Sequence, residues 1–260
     1  MLLVIDIGNT NVVLGIYEGD TLRHHWRIQT VRERTADEWW IQVKALFVDA
    51  GVVANLIGGI AVSSVVPPVT PAIMAMVDRH FQAPHFLVTP ESITDMPIDY
   101  DPPREVGADR IVNAVAGIAE YEPPLIIIDF GTATTFCVID DSGRYKGGLI
   151  VPGIQISAEA LFQRAAKLPR IELRRPEHVV GRNTVEAMQA GVIFGYTGLI
   201  EGIVARIKQE NPLPYRVLAT GGFAAVLGAE TKVIDIIDAH LTLKGLRILW
   251  EKNGQKERSS

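Results

Sequence analysis

Hydrophobic and polar positions along this chain change over in short blocks. Leu2–Ile5 is an apolar run closed by Asp6 and a turn of small polar residues, and Val12 to Tyr17 is apolar again apart from Gly15, ending in Glu18-Gly19-Asp20. Short apolar runs bounded by such turns predict strand, tight turn, strand. Thr35-Ala36-Asp37-Glu38 has the Thr-x-x-Glu spacing of a capping box and predicts a helix that buries Trp40, Val43, Leu46 and Phe47. Gly59 to Val66 reads as a buried strand ended by Pro67-Pro68, because proline cannot donate to a ladder. Pro71 to Phe81 reads as a helix and Phe86–Val88 as a strand. A loop rich in Pro and Asp follows from Thr89 to Arg104. Gly107-Ala108-Asp109-Arg110 then opens a helix carrying Ile111, Ala114, Val115 and Ile118.

In the second half, Asn183 or Thr184 caps a long helix on which Val185, Met188, Val192, Tyr196, Leu199, Ile203 and Ile207 recur at steps of three and four. Gly191, Gly195, Gly198 and Gly202 recur at similar steps. Each interior glycine costs about 1 kcal/mol relative to alanine, so four on one face predict close approach of another backbone. That backbone belongs to a neighbouring helix or to a second subunit, and spacing alone does not choose. Arg216–Ala219 leads into Thr220-Gly221-Gly222, and the polar stretch Asn253–Ser260 is expected to fray.

The block pattern repeats. Leu3-Val4-Ile5-Asp6-Ile7-Gly8-Asn9-Thr10-Asn11 returns 123 residues later as Ile126-Ile127-Ile128-Asp129-Phe130-Gly131-Thr132-Ala133-Thr134, and the following strand and turn return with it. Two copies predict two similar α/β domains, residues 1–121 and 122–260, facing each other across a cleft. Apolar residues at 48% allow a sizeable core, and the net charge of −5 argues against a nucleic-acid surface. The single cysteine, Cys137, excludes an intrachain disulfide framework or a multi-cysteine zinc site. Stretches such as Leu125–Ile128 and Ile57–Val66 are too short or glycine-rich to span a bilayer. With no signal-peptide pattern at the start, a cytoplasmic protein without membrane attachment is expected.

The repeated turn carries candidate chemistry. Gly8 lets backbone approach a ligand, and Asn9, Thr10, Asn11 and the turn amides can donate to phosphate oxygens. Asp6 would repel phosphate directly, so a bridging Mg²⁺ is the natural intermediary. The bland alternative is an ordinary hairpin turn. Asp129-x-Gly131-Thr132 supplies a second carboxylate and hydroxyl, and Gly221-Gly222 offers bare backbone to a flat base or ribose. First phosphate turn, second phosphate turn and adenosine turn stand in the order of the actin-like ATPases, a duplicated ribonuclease H-like fold. Asp109 either caps its helix with Arg110 in a surface pair or accepts a proton in phosphoryl transfer, where the base acts late.

These residues, with Tyr100-Asp101-Pro102-Pro103-Arg104-Glu105-Val106-Gly107-Ala108-Asp109-Arg110, Gly147-Gly148-x-Ile150-x-Pro152-Gly153 and Gly181-Arg182-Asn183-Thr184, resemble the signatures of the type III pantothenate kinases over roughly residues 2 to 250. The resemblance implies ATP-dependent phosphorylation of pantothenate, the first step of coenzyme A synthesis, by a homodimer. It implies that Asp6, Ile7, Gly8, Asn9, Thr10, Asn11, Val12 and Val13 form the ATP-phosphate turn, with Thr132 also on ATP, and that Asp109 is the proton acceptor. Gly107, Ala108, Asp109 and Arg110, helped by Tyr100 and Thr184, would hold pantothenate, and Asp129 a potassium or ammonium ion. Two rivals remain at this level: another kinase or a polyphosphate phosphatase of the same fold, and a non-catalytic regulatory homologue.

Overall fold

A computed structural model describes residues 1–89, 92 and 96–253; the expected fraying beyond Asn253 lies outside them. The chain forms two compact units. The first comprises residues 1–96, 101–116 and 241–260, and the second residues 97–100 and 117–240. The sequence reading cut the chain once, after residue 121. In the structure the last helix instead returns to the first unit.

The first unit is built on a five-stranded sheet in the order β3-β2-β1-β4-β5, from β1 (Leu2–Ile7), β2 (Asn11–Glu18), β3 (Thr21–Gln29), β4 (Gly59–Ser64) and β5 (His85–Leu87). β1 pairs antiparallel with β2 and parallel with β4, with Asp6 opposite Val13 on one side and Ser63 on the other. Successive side chains of a strand point to opposite faces. Leu3, Ile5 and Ile7 therefore join Ile60 and Val62 under α1 (Ala36–Asp49) and α2 (Thr70–His80). Val4 and Ala61 face α3 (Ala108–Tyr121) and α7 (Leu241–Asn253). Asp6 and Ser63 share that second face by parity. α7 is locked there by shape: a Cβ on Gly245 would lie 2.2 Å from the Val112 carbonyl oxygen, and one on Gly59 would enter the Trp250 indole.

The capping box forms as expected, with Glu38 N–H donating to the Thr35 hydroxyl and Thr35 N–H to the Glu38 carboxylate. Val43 and Phe47 fill the core as expected, but Trp39 joins them in place of Trp40. Trp40 and Leu46 are only partly buried, and Trp40 stacks on His80 at 4.2 Å between ring centroids.

The second unit repeats the first sheet strand for strand. Its order, β10-β9-β6-β7-β8, is the same sequence of neighbours, made from β6 (Leu125–Phe130), β7 (Ala133–Ile139), β8 (Tyr145–Pro152), β9 (Arg216–Gly221) and β10 (Ile236–Ile237). β6 pairs antiparallel with β7 and parallel with β9, placing Asp129 opposite Thr135 and Thr220. α4 (Ile154–Arg164), α5 (Thr184–Glu210) and the short α6 (Ala224–Gly228) complete it.

Asn183 caps α5 by accepting from Glu186 N–H. Its buried side comprises Met188, Gln189, Ala190, Ile193, Tyr196, Thr197, Ile200 and Val204; Met188 and Tyr196 lie in the stripe read from sequence, and the rest of the buried face is rotated from it. Val192, Leu199, Ile203 and Ile207 are only partly buried at its flank. By length and composition α5 could cross a membrane, and 44% of that stretch is buried within the protein.

Candidate functional site

In the first unit three segments converge. The β1–β2 turn is closed by Gly8 N–H donating to the Asn11 carbonyl at 3.0 Å. A Cβ on Gly8 would sit 3.0 Å from that same oxygen, which is why glycine is needed here. Thr30, beyond β3, holds the turn from outside: its hydroxyl donates to the Gly8 carbonyl at 2.7 Å and its N–H to the Thr10 carbonyl at 2.9 Å. Asn9 and Thr10 are left exposed at the tip, while Val12 is buried in the core beneath the turn. Ile7 is likewise a core residue, so it can meet a ligand only through its backbone.

Val65 links the other two segments. Its N–H donates to the Ile7 carbonyl at 3.0 Å, and one of its methyls lies 3.7 Å from where a Gly107 Cβ would be. Gly107 immediately precedes α3, and its missing side chain makes room for the Asp109 carboxylate, 2.6 Å from the Cβ position. Asp109 also accepts from Arg110 N–H at 2.8 Å. Burial pushes the Asp109 carboxyl above the ordinary aspartate range, against the opposing pull of that N–H and of the Arg110 charge. Arg110 is itself buried, so the surface pair considered from sequence is not what forms. A carboxylate that binds its proton more firmly than a solvated one is better matched to proton acceptance.

The second unit's turn is built differently. Gly153 caps α4, and its N–H donates to the Thr132 carbonyl at 3.0 Å. A Cβ there would fall 2.3 Å from that carbonyl oxygen and 2.5 Å from that of Gly131, so α4 can start against the turn only with glycine. Gly221, at φ +91°, lies against Asp129: its Cβ position is 2.6 Å from Asp129 Oδ1 and 2.7 Å from the Phe130 carbonyl oxygen. Gly222 follows in the turn into α6. Thr134, one residue past Ala133, is fully buried. Tyr196 of α5 donates its hydroxyl proton to the Pro152 carbonyl at 2.7 Å and lies 2.7 Å from the Thr134 hydroxyl.

The residues expected to touch pantothenate divide between the units. Gly107, Ala108, Asp109 and Arg110 stand together in the first, whereas Tyr100 and Thr184 belong to the second. Tyr100 lies beside Gly147 of β8, 3.8 Å from its Cβ position. Thr184 lines a groove of about 770 Å³ between α4 and α5, with Pro152, Leu161, Gly191, Gly195 and Tyr196 among its walls. Ser63, Thr30, Gly153 and Tyr196 were not singled out from sequence as site residues. Only Gly153 lay in a quoted motif; the others support the turns from strands or helices far away in the chain.

Two sheets of identical strand order, each with a carboxylate at the end of its first strand and a glycine turn after it, define the actin-like ATPase fold. Solved structures agree on the fold. A conserved Campylobacter jejuni protein assigned to the Baf family of transcriptional activators superposes with a TM-score of 0.62 at 18% identity, covering 97% of this chain and 99% of that one. A Sinorhizobium meliloti protein assigned as a 2-dehydro-3-deoxygalactonokinase gives 0.56 at 12% identity, covering 97% and 96%.

The chain belongs to the type III pantothenate kinase family. Residues 2–206 match the family's model, and the type III pantothenate kinase of Geobacillus kaustophilus (strain HTA426) is 54% identical over 257 residues, 99% of this chain and 100% of the relative.

Proposed function

We propose that this chain transfers the γ-phosphoryl group of ATP to the primary hydroxyl of pantothenate, giving 4'-phosphopantothenate and ADP in the cytoplasm. The observation that carries the reading is the full-length match to type III pantothenate kinases, joined to a buried Asp109 whose carboxyl is held above its ordinary range. The hydroxyl oxygen forms a bond to the γ-phosphorus, the bond from that phosphorus to the bridging oxygen of ADP breaks, and Asp109 takes the hydroxyl proton. Because the transition state is loose, the chain acts mainly by positioning and charge neutralisation. The turn from Asp6 to Val13 receives the phosphates through its amides and the Asn9, Thr10 and Asn11 side chains. Thr132 and the Gly221-Gly222 backbone receive the rest of the nucleotide. Gly107 to Arg110, Tyr100 and Thr184 hold pantothenate.

Two ions belong to this reading. Asp6, on the polar end of β1, fits Mg²⁺ held through water. Asp129 Oδ1 and the Phe130 carbonyl, both within 2.7 Å of the Gly221 Cβ position, form an all-oxygen donor set, which suits a hard cation such as K⁺ or NH₄⁺. When bound, these ions supply positive charge against the phosphates.

The homodimer uses the open face of α5. A Cβ on Gly191, Gly195 or Gly198 would meet no described atom within 4 Å, and one on Gly202 only the Arg206 guanidinium of the same helix, so no other element among the described residues packs on the glycine face, and the groove beside it is mostly apolar. Gly195→Leu should shift sedimentation towards monomer.

The function is tested with purified protein, ATP, Mg²⁺ and pantothenate, with and without K⁺. Phosphopantothenate formed only with K⁺ supports the whole reading. Phosphorylation of a different small hydroxyl or carboxyl acceptor, with none of pantothenate, would keep the fold and reject the substrate.

A further inference from the structure

The duplication exposes a residue that neither turn motif contains. On β4, Ser63 stands directly opposite Asp6 in the parallel ladder. It is fully buried, and its hydroxyl donates to Asp6 Oδ1 at 2.5 Å. The same register position in the second sheet, opposite Asp129 on β9, is Thr220, also buried. A buried hydroxyl residue therefore sits beside the carboxylate at the end of the first strand in both copies, although the surrounding loops differ.

A hydroxyl in a strand core has an apolar alternative of nearly the same size, and burying it without a partner would be costly. Here the partner is a carboxylate, and the bond fixes which oxygen is committed. With Oδ1 held by Ser63, the rotation of the Asp6 side chain at the edge of the phosphate turn is set. Ser63 itself is fully buried, so it acts through Asp6.

We propose that Ser63 is a positioning residue for the nucleotide half of the reaction, orienting the Asp6 carboxylate for the metal-bound phosphates. The inference rests on the phosphate-turn role given to Asp6 above. Groups that orient a ligand of a metal-phosphate site typically change affinity or activity about 10–100-fold when removed. The effect belongs to nucleotide rather than pantothenate, because the bond is to Asp6 and not to the Gly107–Arg110 segment.

The test compares Ser63→Ala and Ser63→Thr with the parent protein. Mg·ADP binding is measured by calorimetry, the KM values of ATP and pantothenate by steady-state assay, and Tm by calorimetric melting. Threonine is the informative rescue, since the fold already carries it at the matching position, Thr220. Weakening of Mg·ADP binding by about 10–100-fold in Ser63→Ala, a pantothenate KM within about twofold of the parent, and recovery in Ser63→Thr are expected. Unchanged Mg·ADP binding in Ser63→Ala overturns the proposal. So does a loss shared equally by ATP and pantothenate with a lowered Tm, which marks Ser63 as structural only. If the parent makes no phosphopantothenate, the substrate reading fails, yet the Mg·ADP titration still decides the role of Ser63.

Discussion

The two turns share a skeleton and differ in what surrounds their carboxylates. Asp6 is met by a side-chain donor, the Ser63 hydroxyl, and its turn is braced from outside by Thr30. Asp129 lies against the bare backbone of Gly221, and its turn is braced by the backbone of Gly153 at the start of α4. The repeat preserves where the charge sits, and what differs between the copies is the group packed beside it: a serine hydroxyl in one, a glycine backbone in the other.

The largest expected effect isolates the carboxylate outside the repeat. Asp109→Asn should lower kcat about 10²–10⁴-fold, the usual contribution of a positioned base, while the protein stays folded. The pH dependence follows in sign. With its pKa raised by burial, Asp109 is deprotonated only above the ordinary aspartate value of about 3.9, so activity should fall on the acid side at a higher pH than a solvated aspartate would give. Between the unfolded and the raised native pKa the native state holds the extra proton, so stability declines as pH rises through that window. Asp109→Asn should remove that decline, read from Tm against pH.

Next come the two repeat carboxylates. Asp6→Asn should cost on the order of 10²-fold in turnover measured with K⁺ present, and what turnover remains should still depend on the ion. Asp129→Asn should erase the response to K⁺, leaving the variant no faster with the ion than the parent is without it; equal K⁺ stimulation of both variants would break the contrast. Gly153→Ala tests the backbone brace. Its Cβ would lie 2.3 Å from the Thr132 carbonyl oxygen, so a loss of about 1–3 kcal/mol in denaturant unfolding is expected. Thr30→Ala tests the side-chain brace and should be the mildest, about 1 kcal/mol for one hydrogen bond.

Much of this was legible in the chain. The Asp6 and Asp129 motifs announced the duplication because both are local: an apolar run, a carboxylate and a glycine turn within nine residues. The capping box at Thr35 was legible for the same reason. Ser63 was read only as part of a buried strand, since its role depends on which residue lies across the ladder, and a serine in a strand gives no sign of its neighbour. Val43, Phe47, Met188 and Tyr196 were read as buried and are, but Trp40 and Leu199 were chosen over Trp39 and Ile200, because apolar residues exceed the width of one buried face and periodicity alone could not say which would be covered. No element was read from sequence at Leu241–Asn253, and nothing local tells which sheet receives it.

That last helix has a consequence for how the protein is made. About 125 residues separate Ala116 from Leu241, the two ends of the gap in the first unit. At synthesis rates of roughly 5–20 residues per second, that segment takes roughly 6–25 s to emerge. For that interval one face of the first sheet, where Val4 and Ala61 await Leu243, Leu246 and Leu249, has only α3 of its two covering helices. The unit begun first is thus among the last to close, and a chain broken off before residue 241 would strand its N-terminal half, not its C-terminal one, as a target for chaperones.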